Sequence, residues 1–308
     1  MKTLLASSLL LISLNSFAHE DHDWRQDYQA YLSVEYVLPG VQKSMIIPRT
    51  QAPRVDMNFF KEKLTQFTMN IAERKSQKNL DLARQVLRAE YEKLGFKVSM
   101  QPFGSGTNFI AEKQGNKTPQ KVLILSSHID SVGNHGTNDN GTGSVGLLAV
   151  AKVMAAKNYA STIRILGFDR EEVGLVGSDA YVATISDRDN VIGNINFEMM
   201  GVNSRRDGAF HVIDCSKANS LFLTQSILDS IQSLSLPLHV VKTCTDRSDH
   251  ASFWRKKIPA VVISENFFGG DADPCYHARC DVMDERLNYE YMGNILESVL
   301  DASEKLIK

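Results

Sequence analysis

Three separated stretches carry side chains that could do chemistry together. Ser126 to Gly143, SSHIDSVGNHGTNDNGTG, holds His128, Asp130, His135, Asp139 and Asn140 among four glycines. Asp169 to Glu172 ends in two adjacent glutamates, Glu171 and Glu172, and Glu198 follows the apolar run Val191 to Phe197. Asp130 lies two residues after His128, a spacing at which a carboxylate can orient an imidazole or share a metal. Carboxylates brought together repel one another and resist desolvation unless cations compensate them. Imidazole and carboxylate donors without thiolate suit zinc or a similar divalent ion. The chemistry expected is metal-assisted hydrolysis, with Ser126 to Gly143 supplying half of a two-metal site.

A sheet is what must bring these stretches together. Each follows a short apolar run that reads as a buried strand: Lys121 to Leu125, Thr162 to Phe168, and Val191 to Phe197. In an open parallel sheet the strand C-termini converge on one edge, where ligands bind. Between and around the strands lie helical patterns. Phe59, Phe60, Leu64, Phe67 and Ile71 share one face. Leu80, Leu82, Ala83, Val86, Leu87 and Tyr91 share another, closed by Gly95. Further helices are expected over Ser144 to Met154, within Gly174 to Ala183, over Leu221 to Ile231, and over Leu287 to Ile307. Further strands are expected at Phe96 to Val98, Phe109 to Ala111, Phe210 to Ile213, Leu238 to Val241 and Val261 to Ser264. This alternation predicts an α/β fold: a single-domain, mixed, mainly parallel central sheet with helices on both faces, over residues 56–308.

The 308 residues are 43% hydrophobic and 23% charged, with net charge −2, as expected of a globular chain with a sizeable core. No basic excess points to nucleic acid or an anionic membrane surface. Met1 to Ala18 reads as a secretory signal: Lys2, an apolar core from Leu4 to Leu14, and Ser16-Phe17-Ala18 as the cleavage site. That core is too short for a membrane span, and none is expected elsewhere. The expected location is therefore outside the cytoplasm, periplasmic or secreted. Residues 19–55 read as an N-terminal arm or pro-segment. Four cysteines permit two disulfides in an exported chain. Cys275 and Cys280 could staple a tight loop; Cys215 and Cys244 could pair or stay free.

The series SHID, TNDNGTG, FDREEVGLVGS, NFEMMG, RSDHASF followed by IPAV, and DPCYHARCD resembles the secreted co-catalytic zinc aminopeptidases of the M28 peptidase family. The resemblance runs from about Asp56 to the C-terminus, six motifs in order, and is especially close to the bacterial secreted and vacuolar branches. It implies a zinc-exopeptidase fold, two zinc ions per chain, peptide substrates and a monomer. It further implies that Asp139 bridges the ions, with His128 and Glu198 on one and Glu172 and His277 on the other. Asp130 would orient His128, and Glu171 would be the general base acting on a metal-bridging water. Tyr276 would donate to the oxyanion, and Arg247 would line the substrate pocket. The Cys275/Cys280 pair would fix the loop carrying Tyr276 and His277.

Two departures from the family pattern stand out. Glu198 occupies a position usually held by Asp, and Ala278-Arg279-Cys280-Asp281 follows the last histidine where many relatives have Thr. A glutaminyl cyclase-like enzyme of the same fold, with one catalytic zinc, and an inactive peptide-binding relative are the alternatives. His135 reads as solvent-exposed. Asp249 and His250 read as loop residues lining the pocket, structural or substrate-facing. Gly141-Thr142-Gly143-Ser144-Val145-Gly146, with Asp169 downstream, imitates a dinucleotide fingerprint. That fingerprint needs its first glycine at the strand end, whereas a long polar loop separates Leu125 from Gly141. The small residues are better read as room for a helix to start close under the loop.

Overall fold

A computed structural model describes residues 52–308 of the chain. The expected signal segment and most of the expected arm lie outside the described residues. Helix α1 (Met57–Leu64) starts at Asp56, whose carboxylate accepts from the Asn58 and Phe59 amides. Helix α2 (Gln77–Lys93) is capped by Ser76, and Gly95 follows it at φ +80°, a left-handed position that glycine takes without strain. Then come β1 (Lys97–Phe103), β2 (Gly106–Lys113) and β3 (Thr118–His128). Helix α3 (Gly143–Ala155) leads to β4 (Ser161–Phe168), α4 (Val176–Ala183) and β5 (Val191–Glu198). The chain closes with β6 (Ala209–Ile213), α5 (Leu221–Leu234), β7 (His239–Val240), α6 (His250–Arg255), β8 (Ala260–Glu265) and α7 (Tyr289–Leu306).

All eight strands form one sheet, in the order β1-β2-β4-β3-β5-β8-β6-β7. The β3–β4, β3–β5, β5–β8 and β6–β7 pairs are parallel, and β1–β2, β2–β4 and β6–β8 are antiparallel. The mixed, mainly parallel α/β sheet expected from the sequence is therefore present. Strand side chains alternate between two cores, as a period of two requires. Leu123, Leu125, Ile163, Ile165, Val261 and Ile263 point into the larger core, which includes α1, α2, α3, α5 and α7. Ile124, Leu166, Phe168 and Val262 point into the smaller one, with Tyr181 and Val182 of α4 and Phe253 and Trp254 of α6. Helix α3 is buried almost all round, which explains why its sequence is nearly continuously apolar.

Some expectations need correcting. Strand β3 does not stop at Leu125 but runs to His128, so that histidine is fixed by the sheet rather than by a loop. Leu82 is exposed on α2, off the buried face formed by Leu80, Ala83, Leu87 and Tyr91. Asp249 and His250 are not loop residues: Asp249 stands at the N-cap position of α6, its carboxylate making no capping bond, and His250 is the first residue of the helix.

Candidate active site

The order β4-β3-β5 places three strand ends side by side, and each delivers a polar group. His128 ends β3 and Glu198 ends β5. Glu171 and Glu172 follow β4 in a turn framed by Arg170 and Leu175, both at positive φ. Asp139 comes from the turn Thr137–Thr142 between β3 and α3. Tyr276 and His277 arrive from the loop after β8, inside the closed Cys275–Cys280 disulfide.

Asp139 lies at the centre. Its Oδ1 is 3.3 Å from His128 Nε2, and its Oδ2 is 3.2 Å from His277 Nε2. Glu198 Oε1 is also 3.3 Å from His128 Nε2, while Glu172 Oε2 is 3.1 Å from His277 Nε2. Each oxygen of one carboxylate thus faces a separate histidine–glutamate pair. His128, Asp139 and Glu172 also offer donor atoms within 4.8 Å of one another. Asp130 sits behind them. Its Oδ1 is 3.4 Å from His128 Nδ1, and its two oxygens accept from the Glu171 and Glu172 amides at 3.2 Å. One carboxylate therefore orients the histidine on β3 and the turn after β4 together. The Tyr276 ring stacks on His277, with centroids 3.8 Å apart.

The electrostatics are those of a site that requires cations. Burial pushes Glu172 up to about 7, with the Asp139 charge adding to it. Burial likewise raises Glu171 well above the carboxylate range, reinforced by Asp249, Glu198 and Glu172 against the opposing His128. Burial would lower both imidazoles, but the carboxylates around them prevail. His128 is raised well above its usual value and His277 up to about 10. Glu172 Oε1 is buried with no hydrogen-bond partner. Carboxylates gathered this closely favour positive charge between them. The donor set of oxygen and imidazole nitrogen fits a zinc-like ion.

The sequence profile of peptidase family M28 matches residues 108–303. The chain belongs to peptidase family M28. It is 30% identical over 219 residues to leupeptin-inactivating enzyme 1 of Streptomyces exfoliatus, covering 63% of this chain and 48% of that protein. It is 32% identical over 203 residues to leucine aminopeptidase 2 of Arthroderma otae, covering 58% and 40%. The match thus spans about half or less of these curated relatives. The LapA aminopeptidase of Legionella pneumophila superposes with a TM-score of 0.73 at 21% identity, over 82% of this chain and 73% of LapA. A Bacteroides thetaiotaomicron glutaminyl cyclase bound to N-acetylhistamine superposes with a TM-score of 0.68 at 17% identity, over 82% and 98%. Both likenesses concern the fold, which hosts both kinds of enzyme.

Within this M28 chain, His128, Asp139, Glu171, Glu172, Glu198, Arg247, Tyr276 and His277 all line one cleft of about 540 Å³. Asp130 lies just beneath it. His135 is not free in solvent: it is half-buried, with Nδ1 3.0 Å from the Thr68 carbonyl. Neither Asp249 nor His250 is among the cleft's lining residues; His250 packs edge-on against Trp254 at 4.4 Å. The glycines that imitate a nucleotide fingerprint face protein. A Cβ on Gly141 would lie 2.3 Å from Thr68 Cγ2, and one on Gly143 would lie 2.2 Å from Asn140 Oδ1. They let α3 begin directly under the Asp139 turn.

Sequence reasoning gives no role to three supporting residues, although Ser248 and Asp281 lie within the RSDHASF and DPCYHARCD stretches. Asp281 accepts from the Asn138 amide at 2.7 Å and the Asp139 amide at 3.1 Å. Arg74, wholly buried, donates to the carbonyls of Ile129, His135 and Gly136 and so clamps the first loop from behind. Ser248 donates to Glu198 Oε2 at 2.8 Å. The sequence signal available for Asp281 was its place directly after Cys280.

Proposed function

We propose that this chain is an exported zinc aminopeptidase that removes the N-terminal residue of peptides. The observation that carries the reading is Asp139, with one oxygen toward His128 and Glu198 and the other toward His277 and Glu172. In this reading His128, Asp139 and Glu198 hold one ion, and Asp139, Glu172 and His277 hold a second. Bound there, zinc supplies a Lewis acid for the scissile carbonyl and lowers the pKa of water.

The protein's own groups do the rest. Glu171, half-buried beside Glu172, takes a proton from the attacking water and returns it to the leaving amine. A carboxyl pushed upward by burial suits both transfers near neutral pH. The Tyr276 hydroxyl, whose pKa burial also raises, stays protonated and donates to the developing oxyanion. Met199, Ile213, Val262, Phe267 and Phe268 give the cleft an apolar wall for the substrate's first side chain. Both disulfides, Cys215–Cys244 and Cys275–Cys280, are formed, which supports an oxidising compartment. No helix among the described residues is long and apolar enough to cross a membrane.

The test pairs a zinc count with hydrolysis of leucine p-nitroanilide by wild type and Glu171→Gln. About two zinc ions per chain are expected in both proteins, with kcat reduced about 10²- to 10⁴-fold in the variant. Full activity in Glu171→Gln would refute the assigned base. Ring closure of an N-terminal glutamine peptide, without hydrolysis of any peptide, would favour the cyclase.

A further inference from the structure

Among the described residues, Arg247 is the only lysine or arginine lining the cleft. It is exposed, and its guanidinium forms no ion pair with any carboxylate among the described residues. Every carboxylate that lines the cleft with it (Asp139, Glu171, Glu172, Glu198) belongs to the proposed metal and base set.

The backbone around it is pinned although it has no regular structure. Cys244, three residues earlier, is bonded to Cys215. The Thr245 carbonyl is 3.0 Å from His250 Nε2, and the Arg247 amide donates to Thr245 Oγ1 at 3.2 Å. Ser248, next in sequence, is fixed on Glu198. A cation on a rigid loop, exposed and without an anion partner, is prepared for an anion that arrives with the substrate.

That anion has limited identities. The wall that would take the first side chain is apolar, so an acidic first residue is disfavoured there. A peptide with a free C-terminus carries a carboxylate there. In a dipeptide it lies one residue beyond the scissile bond, roughly 3.5 Å along the chain, and in longer peptides it recedes by about that much per residue. Guanidinium matches carboxylate with two parallel hydrogen bonds.

We infer that Arg247 docks the C-terminal carboxylate of the substrate, so that the site is specialised for dipeptides with an apolar first residue. This rests on the aminopeptidase reading above. The test compares kcat/KM for Leu-Leu with that for Leu-Leu amide, in wild type, Arg247→Met and Arg247→Lys. Wild type is expected to prefer the free acid by about 10- to 100-fold, as for a bond to a charged group. The preference should fall to about one in Arg247→Met and return in part in Arg247→Lys. Binding of the same two ligands to zinc-loaded Glu171→Gln, followed by calorimetry, reads the preference without turnover and so separates this inference from the hydrolytic reading. Equal affinity for acid and amide in that protein, or a preference that survives Arg247→Met, would overturn it.

Discussion

Replacing Asp281 by Asn sets two opposed stability effects against one functional effect. The carboxylate accepts from the amides of Asn138 and Asp139. An Asn can keep one of these bonds through its amide oxygen; its NH₂ then confronts the other N–H. The bond at 2.7 Å to Asn138 is the one expected to survive, leaving the Asp139 N–H unpaired. Losing a charge-assisted bond and burying a bare N–H together cost about 2–4 kcal/mol. Against this, the charge itself is expensive to bury. Burial, with the Asp139 and Asp273 charges, pushes the Asp281 carboxyl up to about 6 even against these two bonds, so removing the charge offsets most of that loss. Global stability of the metal-free protein should therefore change by no more than about 1–2 kcal/mol. The orientation of Asp139 has no such compensation, and metal affinity should fall about 10- to 100-fold, as for other groups that hold ligands in place. Chelator competition on folded protein measures the affinity, and urea unfolding in excess EDTA measures stability. Asp179→Asn, which removes an exposed ion pair with Arg255 and makes no bond to the Asp139 turn, serves as the control. Unchanged zinc affinity in Asp281→Asn would refute the argument. So would a loss of affinity fully accounted for by unfolding.

Acid should weaken the fold through two buried histidines. Burial lowers His211 and His250 to about 4 from 6.5, so the unfolded chain takes up protons first as pH falls. Their contribution is complete above about pH 6.5 and is lost on the way down to about pH 4, roughly 3 kcal/mol for each. In EDTA the raised carboxyls of Glu172 and Asp281 contribute the opposite slope, so the histidine contribution is read as the difference between wild type and His211→Gln in urea unfolding from pH 7.5 to 4.5. Removing the short disulfide with Cys275→Ser and Cys280→Ser should cost about 2 kcal/mol by loop entropy and weaken the zinc held by His277 before the other, as read by zinc titration. Removing the longer one, Cys215–Cys244, should cost roughly 3.5 kcal/mol and leave zinc content intact while the preference for free-acid dipeptides declines.

The groups legible from the chain's own pattern share one property, being tied to a strand end by chain adjacency, whereas Tyr276, His277 and Arg247 are named through the family resemblance. His128, Glu171, Glu172 and Glu198 follow apolar runs, and parallel pairing of β4, β3 and β5 needs no further information to gather them. The supporting residues depend on distant partners, so the residues beside them in sequence do not set their roles. Arg74 meets His135 and Gly136 some sixty residues away, and Asp281 meets Asp139 across 142 residues. Nothing near Arg74 separates it from a solvated arginine. Leu82 departs from the buried face for a related reason: helical spacing names a face, but the packing of α2 decides how wide that face is. His135, which no motif claims and the sequence leaves to solvent, is held because the loop folds back onto the Thr68 carbonyl.

The departure at Glu198 has a structural counterpart in the same sheet. A glutamate in place of the usual aspartate carries one more rotatable bond, and a ligand that wanders binds metal poorly. Here the bond is fixed by a directed row of buried side chains. Asn194 Nδ2 donates to Ser126 Oγ, which donates to Asn196 Oδ1; Asn196 Nδ2 donates to Ser248 Oγ, which donates to Glu198 Oε2, each at 2.8 Å. The donors follow one sense, so Ser248 has its hydrogen committed to the carboxylate. One oxygen of Glu198 is held, and the other is left facing His128. Two asparagines in the middle of β5, at first sight out of place in a buried strand, thus supply what the longer side chain needs. In this reading the substitution at 198 is supported by residues on β3, on β5 and in the loop before α6, and it extends the carboxylate toward the cleft while keeping it a ligand.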